Sequence, residues 1–112
     1  MSDFGFVNEN TGLRFEDHIK NLRGDTRKNL LQLRRFVKSL GDSVLEEVRP
    51  HRIVYAKSLN FRIFLDVQAK ENELAIVIKH GRNKPENAYL ISSEKDLETA
   101  ELQISHAFNE IK

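Results

Sequence analysis

The sequence predicts an α+β domain: two N-terminal helices, an antiparallel sheet of about four strands, and one C-terminal helix packed on that sheet. Three observations carry this. Apolar residues recur at helical spacing near both ends of the chain. Residues 52–91 switch to period-two alternation with β-branched and aromatic enrichment. The strands are joined by loops too short for crossovers, so neighbours pair as antiparallel hairpins. At 112 residues the chain has room for one core, and residues 14–112 are read as that single domain.

Residues 1–13 lack periodicity and read as a loose arm, with Phe4 and Phe6 available to pin it to the body. In residues 14–23, Phe15, Ile19 and Leu22 share one helical face, and Gly24 suits the stop. Asp25 is expected to cap a second helix over 26–40, where Leu30, Leu33, Val37 and Leu40 form a stripe with Phe36 beside it. Residues 42–50 fit either one helical turn or a short edge strand, closed by Pro50. Strands are expected over 52–57, 61–68, 74–78 and 88–91. In the second of these, Phe61, Ile63, Leu65 and Val67 alternate with Arg62, Phe64, Asp66 and Gln68, which assigns Phe61 to the buried face. The last helix starts at Ser92 or Ser93, and Ser93-Glu94-Lys95-Asp96 approximates a capping box. Phe36, Val37, Leu40, Phe61, Ile63, Leu65, Ile76, Ile104 and Phe108 are the expected core.

Composition narrows the function classes. The 18 basic and 17 acidic residues nearly cancel, so the chain has no overall basic coat and no acidic tail. With no cysteine, it has no disulfide, thiolate zinc site or cysteine nucleophile. No apolar run approaches the roughly 18 residues of a membrane span, and the first residues do not resemble a signal peptide, so a cytoplasmic setting without membrane contact is expected. The histidines (His18, His51, His80 and His106) form no metal-ligand spacing, and the glycines form no phosphate loop. No cofactor or metal is expected. A restriction-type nuclease core would pair Asp66 with an acid two residues before Lys79, but that position holds Val77, which cannot ligate a metal.

Charge is distributed unevenly along the chain. Residues 14–38 hold eight basic and three acidic side chains, a local net of +5. On the second helix Arg27, Lys28, Arg34, Arg35 and Lys38 fill one arc without an acid, and Leu31 sits among them. This basic face suits phosphates or an acidic partner. The final helix is its electrostatic complement: Glu94, Glu98 and Glu101 cluster on one edge, and Leu102 lies beside them, off the core stripe. Function is therefore read as a non-enzymatic binding or accessory domain that engages nucleic acid or an acidic protein partner through helix 2. The first alternative is a homodimeric interaction module joining Leu31 and its basic rim to Leu102, Glu94, Glu98 and Glu101 of a second copy. The second alternative is an enzyme with a pocket around Tyr55, Lys57, Arg62 and Lys79.

Three short runs carry a family resemblance: Glu16-Asp17-His18-Ile19 before a helix; Tyr55-Ala56-Lys57 followed by Asn60-Phe61; and Ser93-Glu94-Lys95-Asp96-Leu97 with Ala107-Phe108 near the end. Over about residues 15–111 the chain resembles a small uncharacterised prokaryotic domain family commonly labelled "predicted transport protein". Members of that family occur alone or at the C-terminus of larger proteins, some of them nuclease-related. They usually carry a longer Gly-rich insertion before the last strand, of which His80-Gly81-Arg82-Asn83 would be the remnant. The resemblance implies the α+β fold and a prokaryotic cytoplasmic setting. It brings no catalytic residues, and a chain without apolar spans gives the transport label nothing to act with.

Overall fold

The computed structural model describes residues 14–111 apart from Arg82. The loose arm expected over residues 1–13 lies outside the described residues. The elements run α1 (Phe15–Ile19), α2 (Gly24–Ser39), β1 (Val44–Val48), β2 (Ile53–Lys57), β3 (Arg62–Ala69), β4 (Leu74–Ile78), β5 (Asn87–Ile91) and α3 (Glu94–Glu110). The strands form one antiparallel meander in chain order. The ambiguous segment 42–50 is thus a fifth strand, one more than expected. It lies at the edge of the sheet beside β2, and Pro50 follows it where no further ladder bond is needed.

Helices α2 and α3 lie side by side across one face of the sheet, and buried residues of both helices and of the sheet form one cluster. Leu30, Leu33 and Val37 of α2 meet Leu97, Ala100, Ile104 and Phe108 of α3 over Tyr55, Leu65, Val67, Ile76 and Ile78 of the sheet. Helix α1 stops at Ile19 rather than at residue 23, and Gly24 opens α2 with a left-handed φ of +58° that a side chain would strain. Ser93 caps α3 by accepting from the Asp96 amide at 3.1 Å, while the Asp96 carboxylate accepts from the Ser92 amide at 3.1 Å.

One register break corrects the expected core. Between β2 and β3 the pairing Tyr55↔Leu65 is followed by Ala56↔Ile63, so Phe64 is an extra residue on β3. The bulge turns Phe64 inward, where it is fully buried and packs edge-on against Phe108 with ring centroids 5.2 Å apart. Strict alternation is lost there. Ile63 ends half-buried opposite Ala56, and Phe61, expected inside, is 45% exposed with φ +54°. Phe36 and Leu40 are half-buried at the core margin.

Among the described residues no helix packs on the second face of the sheet, and Val54 and Ala56 on that face are buried. Glu47 and Asp66 flank Val54 in register. They pair with Arg49 and Arg52, each at 2.9 Å, so two ion pairs border Val54. Asp66 therefore faces Arg52. Its direct neighbour on β4 is the apolar Val77.

Candidate functional site: a cationic cleft at the sheet end

The basic face of α2 is largely occupied by the protein itself. Arg34 donates two hydrogen bonds of 2.9 Å to the two carboxylate oxygens of Glu46 on β1. The Tyr55 hydroxyl donates to the same carboxylate at 2.8 Å, and Lys38 approaches it at 3.6 Å. Phe15 of α1 lies against the Arg34 guanidinium, whose carbon is 4.1 Å from the ring centroid. Arg27 reaches back to the Ile19 carbonyl at 2.8 Å. Leu31 is half-buried and packs on the core rather than standing out in solvent. Among the described residues, only Lys28 and Arg35 of this face are exposed without an ion pair or hydrogen bond.

Glu46 explains the local electrostatics. Burial alone would raise its carboxyl, but hydrogen bonds from Arg34 and Tyr55, with the charges of Arg34 and Lys38, hold it below its ordinary value. The same bond raises Arg34. Burial, reinforced by the neighbouring carboxylate, pushes the Tyr55 phenol up, so Tyr55 remains a neutral donor. This is a filled, internally satisfied cluster, and sequence reading missed it because Glu46 lay in the segment left ambiguous between helix and strand.

The acidic edge of α3 divides as well. Glu94, Glu98 and Leu102 are exposed, Leu102 to 65%. Glu101 sits half-buried in the seam with α2. Burial raises its carboxyl against a hydrogen bond with Gln32, and Glu98 adds to the rise. Helices α2 and α3 therefore meet within one chain along this line.

The pocket sought around Tyr55, Lys57, Arg62 and Lys79 splits in two. Tyr55 is committed to Glu46. Lys57 points to the C-terminal end of α3, donating to the carbonyls of Phe108 at 2.9 Å and Ile111 at 2.7 Å while resting over the Phe108 ring. Arg62 and Lys79, however, line an open cleft of about 310 Å³ together with Phe61, Ile63, Gly81 and Glu86. The cleft lies where the β2–β3 turn meets the β4–β5 loop. The Asn60 side chain accepts from the Arg62 amide at 2.9 Å and so shapes the turn that presents Phe61. Leu59, at the tip, is 88% exposed. Lys79 is anchored by its amide to the Phe64 carbonyl at 3.0 Å, and its ammonium stands 3.6 Å from Glu86. On the other side of the loop, His80 bridges Glu110 and Asn87, each at 2.7 Å, and Lys84 lies 3.6 Å from Glu110.

The fold and this site define an α+β domain with one helical layer and an open cleft lined by an aromatic ring, two cations and the carboxylate of Glu86. Among the described residues no three His, Asp or Glu side chains gather closely enough to hold a metal ion, and no helix is long and apolar enough to cross a membrane. In comparisons with family models, curated proteins and solved structures, nothing matches this chain.

Proposed function

We propose that the protein is a non-enzymatic nucleic-acid-binding module, and that its contact surface is centred on the cleft at Phe61, Arg62 and Lys79 rather than on helix α2. The observation that supports this is the juxtaposition of a solvent-accessible aromatic ring with two cations in an open concavity. Single strands are bound by this combination: bases stack on the ring and phosphates meet the cations. Lys84 extends the positive side of the loop beyond the cleft. A duplex would find no protruding basic helix here, because Arg34 and Lys38 face Glu46. Lys28 and Arg35, on α2, form a weaker outlying contact. The prokaryotic cytoplasmic setting implied by the family resemblance belongs to the same proposal.

The test is fluorescence anisotropy with a labelled single-stranded oligonucleotide. With about three phosphates neutralised, raising salt from about 50 to about 200 mM should weaken binding roughly tenfold to twentyfold. Failure of single strands to bind at low salt would overturn the reading. Equal affinity for an acidic peptide of matched charge would replace nucleic acid with an acidic protein partner.

A further inference from the structure

The two edges of the sheet are not protected alike. The strand β1 carries Glu46 and Glu47 within its five residues, and charge on an edge strand discourages further pairing. The strand β5 reads Asn87-Ala88-Tyr89-Leu90-Ile91, with no charge, no proline and a regular register against β4. Among the described residues no strand lies beyond it. Its Leu90 is 60% exposed and Ala88 is exposed. An edge strand left regular, uncharged and apolar is a template for another strand.

We propose that β5 pairs antiparallel with β5 of a second copy, joining two five-stranded sheets into one. The sequence of β5 is self-complementary about Tyr89. A two-fold axis there sets Tyr89 opposite Tyr89 of the second copy, Ala88 opposite Leu90, and Asn87 opposite Ile91. Directly opposed residues share a face. Ala88 and Leu90 are both on the face away from the helices, so each Leu90 gains an apolar cross-strand neighbour. It already has Ala75 beside it on β4, and Val77 borders Ala88, so the apolar strip runs unbroken across the junction. The contact is isologous and closes on itself, which yields a dimer rather than a fibre. A ladder of five residues is about 17 Å long, so the association belongs to the weak, concentration-dependent class.

The experiment is sedimentation of the full chain over a range of concentrations up to the submillimolar. The wild type should shift from monomer to dimer mass. Leu90→Lys should lose the dimer with an unchanged circular dichroism spectrum, because the side chain is exposed. Leu102→Asp, on the exposed side of α3, should leave dimerisation intact. Amide exchange gives a second readout that does not depend on the variants folding: the β5 amides should gain protection as concentration rises. A wild type that stays monomeric, or a dimer split by Leu102→Asp and not by Leu90→Lys, overturns the proposal. So does protection of β5 in the monomer at every concentration, which would mean that another part of the same chain covers this edge.

Discussion

Replacing Glu46 with Ala removes the acceptor for three donors at once. Arg34 loses two hydrogen bonds of 2.9 Å, and the Tyr55 hydroxyl loses one of 2.8 Å. The Glu46 side chain is only 12% exposed and that of Arg34 30%, so breaking the pair approaches the buried case, for which about 3–5 kcal/mol is typical. Partial hydration of Arg34 places the expected loss at about 3 kcal/mol, toward the lower end of that range. Tyr55→Phe should cost about 1 kcal/mol, because the bidentate pair persists and no donor is left stranded. Urea unfolding followed by circular dichroism measures both, with unchanged slopes showing that only stability has moved. A double-mutant cycle of Glu46→Ala with Arg34→Ala should give a coupling of about 2 kcal/mol.

The pH dependence of the same cluster has a definite sign. The folded Glu46 carboxyl lies below its ordinary value of 4.5. The stabilisation it contributes is therefore fully present above that unfolded value and is lost as pH falls through the folded one. The gap between wild type and Glu46→Ala should be constant near neutrality and should narrow in acid. A Glu46→Ala variant that unfolds at the wild-type urea midpoint, or a gap that widens on acidification, would refute the reasoning.

Two further stability predictions follow from the packing. Phe64→Ala should cost about 3–5 kcal/mol through the cavity left against Phe108, whereas Phe61→Ala should stay within about 1 kcal/mol; equal losses in thermal or urea unfolding would contradict the bulge. Lys57→Met keeps an apolar side chain of similar length but removes the ammonium over Phe108 and its two charged hydrogen bonds to the end of α3, so it should cost about 1–2 kcal/mol and speed amide exchange over residues 107–111; unaltered exchange there would contradict the cap.

Much of this architecture was legible in the sequence because local periodicity and capping chemistry agree with tertiary packing. The stripe Leu97, Ala100, Ile104, Ala107 and Phe108 is buried as its spacing implies, and Ser93 caps the helix that it precedes in the sequence. The misreadings have a common physical origin in partners that are distant in the chain. Alternation along β3 assigned Phe61 inward, but the extra residue that inverts the pattern is defined by pairing with β2, not by β3 itself. Val44-Leu45-Glu46-Glu47-Val48 could not reveal which acid turns to the core, since one acid falls on each face of a strand. With Glu46 unplaced, the α2 arc of Arg27, Arg34 and Lys38 read as uncompensated. Its compensation lies on β1 and α1, and Leu31 is half-buried on the core. Arg62 and Lys79 were singled out together from their places on neighbouring strands. Phe61 joins them in the cleft because the bulge and the β2–β3 turn displace it from the core.

The measurement that tests the placement of the binding surface most directly is a comparison of two charge reversals in the single-strand anisotropy titration at low salt. Arg62→Glu with Lys79→Glu alters the cleft, and Lys28→Glu with Arg35→Glu alters the exposed remainder of the α2 face. Both pairs change net charge equally and neither touches the buried cluster at Glu46, so both proteins should fold. The cleft pair should lose binding by about a hundredfold or more, from the loss of two phosphate contacts and their reversal to repulsion, while the α2 pair should weaken it only a few-fold. The opposite ranking would return the binding surface to helix α2 and contradict the account.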